Sequence, residues 1–115
     1  MKKVALLVTG LMISLLSFSQ KDNSKEVVKT TILTSAVCNM CKTTLEKGMA
    51  YEKGVKKSEL DVPSKVLTVW YRSDKTTEEA IRKAVSKIGY DADSIPADPK
   101  AYDNLNPCCK KGYHD

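Results

Sequence analysis

The chain of 115 residues has a single histidine, a single tryptophan and a single phenylalanine. The histidine, His114, lies one residue from the end and is read as solvated. With no other imidazole to act as a general base, no hydrolytic constellation can be assembled around it. Long apolar runs are equally scarce. The longest, from Val4 to Phe18, is interrupted by Thr9, Gly10, Ser14 and Ser17 and falls short of the roughly 20 residues a membrane span requires. There is no internal repeat and no low-complexity tract. Charge of one sign is not concentrated either. The formal net charge is +5, two units of it from Lys2 and Lys3, and the remaining lysines are interspersed with acids. A nucleic-acid partner would require a basic patch or stripe; none is expected here, and the lysines read as a solvated surface.

What the first twenty residues do have is order. Met1-Lys2-Lys3 precedes the apolar run, and polar residues follow it at Ser19 and Gln20. That is the layout of a secretory signal peptide over residues 1–20, cleaved near Ser19 or Gln20. No cysteine closes the apolar run, so no lipid anchor is expected. The mature protein is expected to be exported, periplasmic or secreted, and not an integral membrane protein after cleavage. Outside the cytoplasm disulfides can form. The four cysteines, Cys38, Cys41, Cys108 and Cys109, allow three pairings that sequence alone does not choose among.

A polar linker over residues 21–26 leads into a domain expected over residues 27–93. Residues 27–34 are rich in β-branched side chains and suit a strand. A helix is expected from about Cys41 to Gly54, with Leu45, Gly48, Met49 and Glu52 at helical spacing and Gly54 as its stop. Val55–Val62 is a weak strand candidate, Pro63-Ser64 a turn, and Lys65–Tyr71 the strongest strand signal. Trp70 and Tyr71 are expected to pack on that sheet. Thr76 and Glu79 have the spacing of a capping box. The stripe Ile81, Ala84, Val85 and Ile88 predicts an amphipathic second helix, ended by Gly89. Tyr90–Asp93 completes the series as a short fourth strand. Residues 94–115, with Pro96, Pro99 and Pro107, read as an irregular tail. The order is βαββαβ. It predicts an α+β, ferredoxin-like fold, an antiparallel four-stranded sheet with two helices on one face. In that topology Cys38 and Tyr90 meet at one end of the domain.

Cys38 and Cys41 stand two residues apart where a strand gives way to a helix. Their sulfurs can converge on one ion. The unpaired N–H groups and positive dipole end of the helix favour thiolate over thiol, and such motifs lower a cysteine pKa by one or more units from about 8.5. Thiolates suit Cu(I) and Zn(II). A structural zinc site asks for four ligands. Two ligands suit a two-coordinate soft ion such as Cu(I), or Hg(II) on the same logic, and leave room for an incoming thiolate during transfer.

Residues 28–93 resemble the heavy-metal-associated domain family, which includes copper chaperones, periplasmic mercury carriers and the amino-terminal modules of metal-exporting ATPases. The resemblance rests on Cys38-x-x-Cys41 after a strand, the six-element order and Gly89-Tyr90 closing the second helix. It implies that Cys38 and Cys41 bind the metal and that Tyr90 tunes or shields the site without ligating. It also implies a metal-donor or metal-acceptor protein as partner, a membrane metal transporter among the candidates. Where the family reads Gly-Met-Thr-Cys, this chain reads Ser35-Ala36-Val37-Cys38. Ala36 is smaller than the methionine that packs under the family's loop, which leaves the loop looser unless Met40 compensates.

The expected function is therefore that of an exported soft-metal-ion binding protein, not an enzyme, that carries, buffers or delivers metal, Cu(I) first. Two alternatives use the same pair: a thiol–disulfide oxidoreductase and an interaction module stapled by disulfides. A thioredoxin-like fold fits less well, because the mature chain is short and no aromatic residue precedes Cys38. The tail adds an open question. Cys108 and Cys109 can add thiolates to the main site, form a second one with His114, cross-link to Cys38 or Cys41, or play no part. Four thiolates would make a closed site suited to Zn(II) or a copper cluster. Met40 sits between the two cysteines, where its thioether can assist Cu(I) or serve as apolar filler. Lysines near the site such as Lys42 keep the surface soluble or steer an acidic docking partner.

Overall fold

The computed structural model describes residues 26–111. The segment expected to be a signal peptide, most of the expected linker and His114 lie outside the described residues. The strand β1 (Val27–Leu33) is followed by helix α1 (Asn39–Ala50), strands β2 (Val55–Asp61) and β3 (Val66–Arg72) and helix α2 (Glu78–Ile88). A short helix α3 (Pro99–Asp103) and a 3-10 turn (Pro107–Cys109) complete the chain. The sheet is antiparallel in the order β1-β3-β2.

Alternation along the strands decides which face is covered. Leu67, Val69 and Tyr71 of β3 are buried, while Val66, Thr68, Trp70 and Arg72 between them are only half-buried. The register sets Ile32 and Leu60 on either side of Leu67, and Thr30 beside Val69. Against this face α1 presents Cys41, Leu45 and Met49, four residues apart, and α2 presents Ile81, Ala84 and Val85. A fully buried Leu or Ile contributes about 1.5–3 kcal/mol relative to exposure, so these stripes position the helices. A polar clasp adds direction. Glu46 accepts the Leu60 backbone N–H at 2.8 Å while Lys42 Nζ reaches Glu46 at 2.6 Å and the Leu60 carbonyl at 3.1 Å. Lys42 is thus tied to the domain. On the outer face Lys57 Nζ sits 4.8 Å from the centre of the Trp70 ring.

Boundaries differ from expectation by a few residues. α1 ends at Ala50, where the backbone N–H groups of Tyr51 and Glu52 donate to the carbonyls of Gly48 and Met49. Gly54, at φ 84, serves the turn into β2 instead of stopping the helix. The N-cap of α2 is Thr77, whose hydroxyl accepts the Ala80 N–H at 3.1 Å, and not Thr76. Gly89 ends α2 as expected, at φ 124.

The expected fourth strand does not form. Ala92 makes a single bridge to Thr34, just past the end of β1, and another to Ile95. The reason is local. Asp93 has a left-handed backbone, φ 52, which reverses the chain. Its carboxylate then accepts the Leu33 N–H at 2.9 Å, and its own N–H donates to the Leu33 carbonyl at 2.8 Å. One side chain thereby takes the edge position that a continuing ladder would have filled, and the sheet stops at three strands.

The tail is also more ordered than expected. Asp98 caps α3 by accepting the Ala101 N–H at 3.0 Å, with Pro99 in the first turn where its missing N–H costs nothing. The segment is laced to the domain. Ser86 Oγ donates to the Pro96 carbonyl at 2.7 Å, Asp91 accepts the Ala97 N–H at 2.9 Å, and Lys111 Nζ pairs with Asp91 at 2.7 Å. Gly89 provides the seat: a Cβ there would stand 3.1 Å from both the Ala101 carbonyl oxygen and Leu105 Cδ2. No helix among the described residues is long and apolar enough to cross a membrane.

Candidate metal centre

The loop before α1 is held at both ends. Thr34 donates its N–H and its hydroxyl to the Lys65 carbonyl at 2.9 and 2.8 Å, and its hydroxyl oxygen accepts the Ala36 N–H at 3.2 Å. Ser35 Oγ accepts the Asp91 N–H at 2.9 Å, which ties the loop to the segment after α2. Ala36 is fully buried. Cys38 then occupies the N-cap of α1 in extended conformation, its sulfur facing the Cys41 backbone N–H without closing a full capping hydrogen bond. Cys41, one turn on, faces the core and is fully buried.

The 3-10 turn brings two more sulfurs to the same place. Cys38 Sγ lies 3.2 Å from Cys41 Sγ, 3.5 Å from Cys108 Sγ and 3.8 Å from Cys109 Sγ. The sulfurs of Cys38, Cys108 and Cys109 all fall within 4.8 Å of one another. All four thiols are free. Cys109 is buried, and Cys38 and Cys108 are half-buried. An ion bound at about 2.3 Å to three sulfurs in a plane sets them about 4 Å apart, whereas linear coordination by two needs about 4.6 Å. The two distances from Cys38, 3.5 Å to Cys108 and 3.8 Å to Cys109, come near the first arrangement. The Cys38–Cys41 separation would have to widen for the second.

Charge is unevenly shared among these thiols. Burial acts to raise the Cys38 pKa, but the Cys41 thiol and backbone N–H, then the thiols of Cys108 and Cys109, outweigh it and bring Cys38 to about 6. Cys108 is raised, chiefly by its hydrogen bonding with Cys38 and then by burial. Cys109 is pushed well up, by burial first and then by Cys41. Cys38 is therefore the group that carries negative charge at neutral pH, and Cys108 and Cys109 stay protonated until a cation or a base draws their protons away.

Tyr90 sits beneath this cluster. It is fully buried, and its hydroxyl is the buried side-chain oxygen left without a hydrogen-bond partner among the described residues. Burial, then the neighbouring sulfurs of Cys109 and Cys41, push its pKa far up. The phenol stays protonated and is placed to donate to the sulfur of Cys109 or Cys41, more strongly to a thiolate than to a thiol. Such an orphaned group costs about 1–3 kcal/mol.

The structure brings Cys38, Cys41, Cys108, Cys109 and Tyr90 together. Met40 does not fill the space under the loop. It is 48% exposed, and its thioether borders the sulfur cluster: Asn106 Nδ2 donates to it at 2.9 Å and Cys108 Sγ stands 3.6 Å away. Asn106 is a residue that the sequence reading missed. Asn before Pro is a turn-initiating signal, and here it opens the turn that delivers Cys108 and Cys109.

No characterised protein of curated function matches the chain in sequence. Among solved structures the chain is similar to the CopZ metallochaperone, with 20% identity, a TM-score of 0.54, and 56% of this chain and 98% of that chain covered. It is similar to the CsoZ metallochaperone at 19% identity and TM-score 0.52, covering 58% of this chain and 97% of that one. It is also similar to a copper-bound, singly substituted CopA from Bacillus subtilis, with 22% identity, a TM-score of 0.53 and coverage of 61% and 93%. These likenesses bear on the fold. The family model of the heavy-metal-associated domain matches residues 34–91, half of the chain, including Cys38, Cys41 and Tyr90. On that match, joined to the loop and sulfur geometry above, the chain belongs to the heavy-metal-associated domain family.

Proposed function

We propose that this protein is an exported soft-metal-ion carrier that binds Cu(I) through Cys38 and Cys41 and passes it to or from a metal-handling protein, a membrane metal transporter among the candidates. The observation that carries the reading is the position of Cys38. It caps α1 with its sulfur 3.2 Å from that of Cys41, and its thiol is brought to about 6. A thiolate available at neutral pH, with a second sulfur alongside, is the donor set a soft cation selects over harder ions. The names of similar structures, two metallochaperones and a copper-bound CopA, agree with this chemistry. Export rests on the layout of residues 1–20, and it would place delivery outside the cytoplasm.

The test is an anaerobic Cu(I) titration of reduced protein starting at Gln20, in competition with a chelator, beside the Cys38→Ser/Cys41→Ser variant. Tight binding lost in the variant is the expected result. Equally weak binding by both would overturn the copper reading. The same low-pKa thiolate beside a buried thiol also suits thiol–disulfide exchange. Turnover of a disulfide substrate by the metal-free protein, abolished by Cys38→Ser, would favour that activity instead.

A further inference from the structure

Building on the metal-binding reading, we propose that the 3-10 turn Pro107–Cys109 is part of the metal site, and that Cys38, Cys108 and Cys109 hold one soft ion as a closed three-thiolate centre that opens only when the tail lifts.

Three independent observations lead there. The first is spacing. Cys38 Sγ is 3.5 Å from Cys108 Sγ and 3.8 Å from Cys109 Sγ, and the three sulfurs share a sphere that one ion can fill. The second is Tyr90. Its hydroxyl is fully buried and meets no better acceptor among the described residues than the neighbouring thiols of Cys41 and Cys109. A thiol is a poor acceptor for it; a thiolate on a bound cation is a good one. The orphaned hydroxyl thus gains a partner when metal binding deprotonates a neighbouring sulfur.

The third observation is how firmly the turn is held. Cys109 is 2% exposed and belongs to the core, Leu105 packs on it, and α3 rests on Gly89. Lys111 donates its N–H to Tyr102 Oη at 2.8 Å and pairs its ammonium with Asp91. A tail carrying two incidental thiols needs none of this. The turn also lies outside residues 34–91, the part that matches the family model. The similar structures are 93–98% covered by 56–61% of this chain, so the tail is an addition to the shared domain.

The chemical consequence is a change of role for the same loop. A two-coordinate ion on an exposed loop is open to an incoming thiolate. Three thiolates, one of them buried, hold the ion more tightly and shield it. Binding releases the protons of Cys108 and Cys109 to solvent as each sulfur bonds the cation, and no electron is transferred. Transfer to a partner then requires the turn to leave first, which returns the ion to the Cys38–Cys41 pair of the carrier reading.

The experiment is X-ray absorption of the reduced, full-length mature protein with one equivalent of Cu(I), together with competition against bathocuproine disulfonate. The variants are Cys108→Ser/Cys109→Ser, the milder Cys108→Ser, and Cys38→Ser/Cys41→Ser, each checked for fold by circular dichroism. The expected result is three sulfur neighbours in the unsubstituted protein, fewer in the tail variants, and a loss of at least about tenfold in affinity when the tail sulfurs go. Two sulfur neighbours in the unsubstituted protein, with unchanged affinity in Cys108→Ser, would overturn the three-thiolate centre and leave the Cys38–Cys41 carrier standing. No Cu(I) binding by the unsubstituted protein would overturn both. The absorption measurement needs no substitution, so a variant that misfolds does not remove the test.

Discussion

Cys38 Sγ stands 3.5 Å from Cys108 Sγ, although 70 residues separate them in the chain. The contact places the half-buried Cys108 thiol, whose own pKa is raised, against the Cys38 sulfur, whose pKa is lowered. With Cys38 at about 6, against about 8.5 for an ordinary thiol, its reactivity should titrate two or more units early. Alkylation of the reduced, metal-free protein by iodoacetamide should label Cys38 first, with a pH midpoint near 6, while buried Cys109 remains unlabelled until the protein unfolds. A folded-state pKa below the unfolded value also sets the sign for stability. The contribution is complete above about pH 8.5 and fades as pH falls through about 6. A labelling midpoint near 8.5, read by mass spectrometry of the tryptic peptides, would contradict the placement of Cys38.

The buried Tyr90 hydroxyl makes a prediction of opposite sign for the two states of the site. In the metal-free protein the group is unpaired, so Tyr90→Phe removes a cost and should leave stability unchanged or raise it by up to about 1 kcal/mol in urea denaturation. In the metal-loaded protein the same change removes a donor to thiolate and should weaken Cu(I) retention, by about tenfold at most. A metal-free variant destabilised by more than about 1 kcal/mol would mean that the hydroxyl already has a partner.

Much of this architecture is legible in local patterns. The Leu45–Met49 and Ile81–Val85 spacings mark both helices, the β-branched run of β1 and the Val66–Tyr71 alternation mark two strands, and Cys38-x-x-Cys41 marks the loop. What escapes such patterns depends on contacts distant in sequence. Tyr90–Asp93 has the length of a strand, and only the exchange between Asp93 and Leu33 shows why it turns away. The tail reads as irregular because its order comes from docking on Gly89, Ser86 and Asp91, with only one helical turn's worth of local signal at Asp98-Pro99. The proximity of Cys108 and Cys109 to Cys38 follows from that docking, and in the sequence it is one of several open pairings.

Gly89 joins the fold to the site. Its φ of 124 is a conformation that side chains rarely adopt, and a methyl group there would press on the Ala101 carbonyl and on Leu105 at 3.1 Å. Gly89→Ala should therefore destabilise the protein by about 1–3 kcal/mol. It should also loosen α3 more than the sheet. Brief trypsin digestion should cut after Lys100, Lys110 or Lys111 sooner than in the unsubstituted protein. Equal rates of tail cleavage would show that the tail does not depend on this seat.

The Asp91–Lys111 pair holds the far end of the same segment, and its pH dependence can be worked out. Hydrogen bonding to Lys111, followed by the Ala97 N–H and the lysine charge, keeps the Asp91 carboxyl below its ordinary value in spite of burial. A depressed carboxylate contributes above its unfolded pKa of about 3.9 and is lost only as pH falls through the lower folded value. The clasp should thus be indifferent to pH between about 5 and 8, the range over which Cys38 titrates. The ammonium of Lys111 is more than half exposed, so the pair should add no more than about 1 kcal/mol. Lys111→Ala should leave global unfolding nearly unchanged while raising hydrogen exchange in residues 105–111. If tail exchange in the unsubstituted protein, corrected for its intrinsic pH dependence, rises sharply as pH falls from about 8 to about 5, the clasp is not what holds the tail, and the thiols of the cluster are the place to look.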